Sequence, residues 1–341
     1  MPTVRIGFCL AASARMTLAH GLLLRGVPGI YNRQAARDRA IRHAPARAAG
    51  ATRPSPHRGR HMPPPAPRAL DTPESTAMHA IEIDGVQIHY AAHGPKDGPA
   101  LLLANSLGTD LRVWDAMLPH LPAGLRVIRY DKRGHGLSEA PPAPYRMESL
   151  VADAAALLDA LGVTGAAVVG LSIGGLIAQG LAAERPDLVR AMVLMDTAAK
   201  IGTDAMWDDR IAMVNDKGLA SMEAAVLERW FSRRFRAERP GELAMWRAML
   251  TRTPAAGYAG CCAAIRDCDL RGSTARLTLP TLAMGGDEDG STPPDLVRET
   301  AALIPGARFE LIRGAGHLPC VEQPEAVGAL IAAFLHEVGH V

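Results

Sequence analysis

The chain has 341 residues, 48% of them hydrophobic and 21% charged, with a formal net charge of +2. Those proportions exclude a chain that is disordered throughout and leave room for a sizeable core in one large α/β domain or two small ones. No run approaches the ~18 apolar residues of a membrane-spanning helix. The five cysteines (Cys9, Cys261, Cys262, Cys268 and Cys320) form no CxxC pair, which speaks against a metal site and for a reducing, cytoplasmic setting.

The small net charge conceals a division. Residues 1–77 carry twelve arginines, no lysine and only Asp38, Asp71 and Glu74 as acids, together with ten of the 26 prolines. A segment of that kind, without apolar periodicity, reads as disordered. Its opening, Met1–Ala14, resembles a stunted signal sequence that Arg15 closes too soon. As a basic arm it could serve nucleic acid, but neither aromatic interleaving nor a fold motif supports that. The reading that fits best is a start codon set too far upstream, with the folded protein beginning at Met78.

From His79 the pattern sharpens. His79–Asp84 and Val86–Ala92 alternate around Asp84-Gly85, a hairpin signal. Leu101–Ala104 and Leu125–Tyr130 read as buried strands. Met147, Leu150, Val151, Ala154, Leu157, Leu158 and Leu161 recur at helical spacing and stop at Gly162. Ala166–Leu171, Val189–Met195, Pro280–Met284 and Arg308–Ile312 are further strands, with helices at Pro293–Ile304 and Pro324–Val338. Strands alternating with helices predict a mostly parallel sheet covered on both faces. The stretch 197–276 breaks the alternation: it has helical patterns, no convincing strand and three of the four tryptophans, Trp207, Trp230 and Trp246. It reads as a helical cap inserted between strands of a core made from 78–196 and 277–341.

At the end of the third parallel strand stands Gly170-Leu-Ser172-Ile-Gly174. This is G-x-S-x-G between a strand and a helix, where a tight turn lifts a serine hydroxyl above the sheet. A serine needs a base to take its proton, and that turn calls for an acid and then a histidine later in the chain. Gly286-Asp-Glu-Asp289-Gly offers Asp287 and Asp289, of which Asp289 is the better placed. Gly314-Ala-Gly-His317 offers the base, with small residues that let the ring approach. His135 is a rival base, but it lies before the serine. The oxyanion hole calls for two backbone N–H groups, that of Ile173 and one from Asn105-Ser-Leu-Gly-Thr-Asp110, with Leu107 as the expected donor.

These motifs resemble the α/β-hydrolase superfamily over Met78–Val341. Within it, Asn105–Asp110, Asp131-Lys-Arg-Gly-His-Gly-Leu-Ser138, Ile201-Gly-Thr with Trp207-x-x-Arg210, and Glu228-Arg-Trp-Phe231 look like the 3-oxoadipate enol-lactonases. The resemblance implies an α/β-hydrolase fold and a Ser172–His317–Asp289 triad. That triad would open the enol-lactone to 3-oxoadipate in aromatic breakdown, with no cofactor or metal. Because that small-molecule substrate carries a carboxylate, Arg210 is the first candidate to hold it, Arg133 the second, and Trp207 and Trp230 are candidate walls. A general carboxylesterase, a cofactor-free haloperoxidase-like enzyme and a binding protein with a vestigial triad are the rival readings. Dehalogenases and epoxide hydrolases of this fold place an aspartate where Ser172 stands. Neither nucleic acid nor membrane is expected as a partner.

Overall fold

The computed structural model describes residues 79–341; what the sequence suggests for residues 1–77 lies outside them. Eight strands make one sheet: β1 (His79–Ile83), β2 (Val86–His93), β3 (Ala100–Ala104), β4 (Arg126–Tyr130), β5 (Ala166–Leu171), β6 (Val189–Met195), β7 (Thr281–Gly286) and β8 (Arg308–Ile312). Their order in space is β1-β2-β4-β3-β5-β6-β7-β8. The hairpin β1–β2 runs antiparallel to its neighbours at one edge, and β3 to β8 are parallel. Every residue of β3, β5 and β7 is buried, as expected for strands covered on both faces.

Helices α1 (Met147–Ala160) and α2 (Ile173–Glu184) flank the sheet. The apolar stripe of α1, from Met147 through Leu150, Val151, Ala154 and Leu157 to Leu158, is the buried one. Between β6 and β7 the chain makes six helices and no strand: α3 (Asp204–Lys217), α4 (Glu223–Trp230), α5 (Arg233–Glu238), α6 (Pro240–Arg252), α7 (Ala255–Asp267) and α8 (Arg271–Thr274). After β7 come α9 (Pro294–Ala302), a single turn α10 (Pro319–Glu322) and α11 (Pro324–Glu337). Among the described residues, no helix is long and apolar enough to cross a membrane, and Cys261, Cys262, Cys268 and Cys320 are buried and free.

Because β3 to β8 are parallel, the loops leaving β3, β5, β6, β7 and β8 all emerge along one edge of the sheet, where ligand sites of open α/β sheets form. The loop after β3 is braced by the one after β4. Lys132 Nζ donates to Ser106 O at 2.6 Å, Gly108 N–H donates to His135 Nε2 at 2.9 Å, and Leu111 N–H donates to Asp131 Oδ1 at 2.7 Å. Lys132 is itself buried, and that desolvation pushes its ammonium down to about 8 from the ordinary 10.5.

Lys132 therefore sheds its proton at lower pH in the folded than in the unfolded chain. Between about pH 8 and 10.5 the unfolded state binds more protons, so stability contributed at this position rises with pH. Subtracting the unfolding free energy of Lys132→Met from that of the parent across this window should reveal a gain on the order of 3 kcal/mol. A flat or falling difference would contradict the burial of a charged ammonium here.

Candidate active site

Ser172 sits at the junction of β5 and α2 with φ 58° and ψ −118°, a conformation that costs a non-glycine residue roughly 1–3 kcal/mol. The turn is held by Ser172 N–H donating to Met195 O at 3.0 Å and by Thr197 Oγ1 donating to Ser172 O at 2.6 Å. The flanking glycines answer to close approach. A Cβ at Gly170 would lie 2.2 Å from Gly174 O, and one at Gly174 would lie 2.0 Å from Ala104 O. No side chain fits at either place, so strand, turn and helix pack backbone to backbone and leave the hydroxyl facing outward.

His317, on the loop after β8, meets Asp289, on the loop after β7: Nδ1 to Oδ2 is 2.9 Å, and both side chains are buried. The Asp289 carboxylate also accepts N–H bonds from Ser291 at 2.7 Å and Thr292 at 3.2 Å, and the Thr292 hydroxyl at 2.7 Å. Burial pushes its pKa up, but the His317 ring and these hydrogen bonds outweigh that and hold it below the usual carboxylate value. Asp287 does different work. Its Oδ1 accepts the N–H groups of Gly314 and Ala315 at 2.7 and 3.3 Å, fastening the two loops together. Glu322 braces the histidine loop from below, accepting from Gly316 N–H at 2.7 Å and from the Ser232 hydroxyl at 2.5 Å.

The Nε2 of His317 lies 3.4 Å from Ser106 Oγ. Ser106, Leu107, Ser172 and His317 border one cavity, so the imidazole edge, the nucleophile candidate and the loop after β3 share the same space. Among the described residues, neither the Leu107 nor the Ile173 N–H has an acceptor within the chain, and Leu107 borders the cavity. His135 is excluded as the base: its Nε2 is occupied by Gly108 N–H, and burial, then the neighbouring Lys132 charge, hold its pKa well below the ordinary value. It is a neutral brace for the oxyanion loop.

The insertion supplies the remaining walls of this cavity of about 170 Å³, among them Trp207, Arg210, Arg229, Trp230 and Tyr258. The guanidinium of Arg210 lies 4.8 Å from the centroid of the Trp207 ring. Its neighbour Asp208 is taken instead by Arg266, at 2.6 Å. Arg133 must be removed from the substrate-binding candidates. It does not border this cavity, and its guanidinium is held on Asp153 of α1 by two bonds of 2.6 Å, a fork-to-fork pair that ties the loop after β4 to that helix.

Several participants carry no sequence signal. Asp196, at the end of β6, is fully buried with φ 44° and accepts Gly286 N–H at 2.8 Å. Burial first, then the charge of Asp289, raise its pKa well above the ordinary carboxylate value. Asp196, Asp289 and His317 are the described side chains close enough to share a metal ion, their ligand atoms lying within 4.8 Å of one another. Two of the three are already engaged with each other through the 2.9 Å bond between Asp289 and His317.

The family model for the alpha/beta hydrolase fold matches residues 99–324, and the chain belongs to that family. It is 35% identical over 250 residues to 3-oxoadipate enol-lactonase 2 of Acinetobacter baylyi, covering 73% of this chain and 93% of that one. A crystal structure of the enol-lactonase from Burkholderia xenovorans superposes with a TM-score of 0.74 at 36% identity, over 76% of this chain and 100% of its own. A thermophilic esterase from Thermogutta terrifontis gives 0.73 at 28% identity, over 78% and 100% of the two chains.

The two acids separate by mutation. Asp289→Asn leaves the shape but allows the wrong imidazole tautomer, so kcat should fall on the order of 10⁴-fold. Asp287→Asn weakens only bonds to the Gly314 and Ala315 N–H groups and should show mainly in thermal stability. Steady-state kinetics of both variants, each checked for folding by circular dichroism, decide; a larger kcat loss in Asp287→Asn would reverse the assignment.

Proposed function

We propose that this α/β-hydrolase opens 3-oxoadipate enol-lactone to 3-oxoadipate through an acyl-enzyme on Ser172. The observation that carries the proposal is a buried His317–Asp289 pair in one cavity with the strained Ser172 and with Arg210, a guanidinium that no carboxylate neutralises among the described residues. A nucleophile beside a base performs acyl transfer; a cation in the same small space selects an acyl donor that carries an anion. The 35% and 36% identities to enol-lactonases support that choice of substrate.

His317 Nε2 takes the Ser172 proton as Oγ attacks the lactone carbonyl. The oxyanion that develops is received by the Leu107 and Ile173 N–H groups. Asp289 keeps Nδ1 protonated and stabilises the imidazolium. As the ring C–O bond breaks, Nε2 returns the proton to the departing enol oxygen, and the enol tautomerises to the ketone. A water molecule, deprotonated by His317 Nε2, then attacks the acyl-enzyme; the ester C–O bond to Ser172 breaks, Nε2 returns the proton to Ser172 Oγ, and the product leaves with a second carboxylate. In the resting arrangement Nε2 faces Ser106 Oγ at 3.4 Å, so its hydrogen bond to Ser172 forms on the way to attack. Tightening of this kind on substrate binding is common at such sites. Hydrolysis of neutral esters by the same triad is the second reading, favoured by the likeness to the Thermogutta esterase.

Arg210 discriminates the two readings. A charge-assisted hydrogen bond contributes about 1.5–3 kcal/mol, so Arg210→Ala should lower kcat/KM for the enol-lactone on the order of 10–100-fold. The loss for p-nitrophenyl acetate, which has no carboxylate, should be far smaller, and Arg210→Lys should recover part of the lactone activity, since an ammonium keeps the charge without the fork. Equal losses on both substrates would make Arg210 a folding residue of the insertion and favour the neutral-ester reading.

A further inference from the structure

Arg229, in the last turn of α4, borders the same cavity as Arg210. Among the described residues it forms no ion pair either. Its sequence neighbour Glu228 turns to Arg236, at 3.8 Å. Its stem is pinned against the acid loop: Gly290 N–H donates to Arg229 O at 3.3 Å, and the Gly290 α-carbon packs so closely that a Cβ there would come within 3.1 Å of Arg229 Cα and Cγ. Burial, and then the like charge of Arg210, pull the Arg229 pKa below its ordinary value. Tyr258 borders the cavity as well. Its phenol is kept neutral by burial although both arginines pull the other way, which leaves it a hydrogen-bond donor rather than a counter-ion.

Two guanidinium groups facing one small cavity without a carboxylate between them repel each other and are partly stripped of water. Only an entering anion relieves both costs. A monoanion leaves one charge unmatched; a dianion matches both. Hydrolysis of a lactone or ester that already carries one carboxylate creates a second, so the product of such a reaction is a dicarboxylate. We propose that Arg229 is the receptor for a second carboxylate and that the cavity is a dicarboxylate site, with Arg210 on one end of the ligand and Arg229 on the other. The identification of that ligand with the ring-opened product rests on the reaction proposed above; the selectivity for dicarboxylates does not.

The test uses two inhibitors of equal length, adipate and 6-hydroxyhexanoate, which differ by one charged end. Each is titrated against turnover of p-nitrophenyl acetate, and binding is read independently from tryptophan fluorescence, since Trp207 and Trp230 border the cavity. In the parent enzyme adipate should bind at least on the order of tenfold more tightly, the worth of one charge-assisted contact. In Arg229→Gln that ratio should collapse toward one, and Arg229→Lys should restore part of it. A ratio near one in the parent, or a ratio that Arg229→Gln leaves intact because both inhibitors weaken together, would overturn the proposal; the latter would place both guanidiniums on a single carboxylate. Because the ratio cancels any general damage to the active site, a destabilised variant still reports. Failure of the enzyme to turn over the enol-lactone would sink the proposed reaction and leave this ratio readable.

Discussion

The site depends on one constraint: the backbone at Ser172 is held in a left-handed conformation that the residue would not choose. Three contacts impose it. The Gly170 and Gly174 backbones approach to distances that admit no Cβ, the Met195 carbonyl takes the Ser172 N–H, and the Thr197 hydroxyl takes the Ser172 carbonyl. The strain is sustained by the buried parallel strands on either side, β3 and β6, whose burial stabilises far more than the turn costs. With the turn closed, the Gly175 and Leu176 N–H groups bond back to Ser172 O at 2.8 and 3.3 Å, and the Ile173 N–H beside the serine has no acceptor among the described residues, at the helix end whose dipole favours negative charge.

Around that turn the remaining groups are set by loops that brace one another. Asp287 and Glu322 hold the histidine loop, Lys132 and His135 hold the loop after β3, and Thr292 holds the Asp289 carboxylate. Asp287, Glu322, Lys132 and His135 do not border the cavity, yet each fixes a loop that does, which is how a site gains precision from residues outside it. The insertion between β6 and β7 contributes chemistry of another kind, apolar walls and unneutralised cations. On the proposed reaction the two parts divide the work, the sheet edge carrying bond making and breaking and the insertion carrying the choice of what is bound.

How much of this is written in the sequence varies with the length scale of the signal. The strands of the sheet are legible within about two residues, the inner ones because burial on both faces demands apolar runs, as in Ala166–Leu171, and the edge hairpin because its two strands alternate about Asp84-Gly85. The elbow is legible because only glycine satisfies the sterics on each side of Ser172. What is missed is long-range pairing. Arg133 looks available until Asp153, twenty residues on, is seen to grip it, and Asp287 resembles Asp289 until the fold turns it toward Gly314. Thr292 and Asp196 are polar residues in loops with neither period nor motif, and Ser106 and Arg229 lie inside quoted stretches that give no sign of what their own side chains face. The one-turn helix α10 is too short for any periodicity to show. Their roles arise only when the loops from separate strands meet.

The central claim is that the strained turn and the His317–Asp289 pair make Ser172 a working nucleophile, and the most direct measurement is covalent. The enzyme should be treated with a fluorophosphonate ester and its tryptic peptides read by mass spectrometry. One label per chain is expected, carried by Ser172, with the rate of labelling collapsing in His317→Ala while the fold persists. Label on Ser106 instead, or a rate indifferent to the loss of His317, would contradict it.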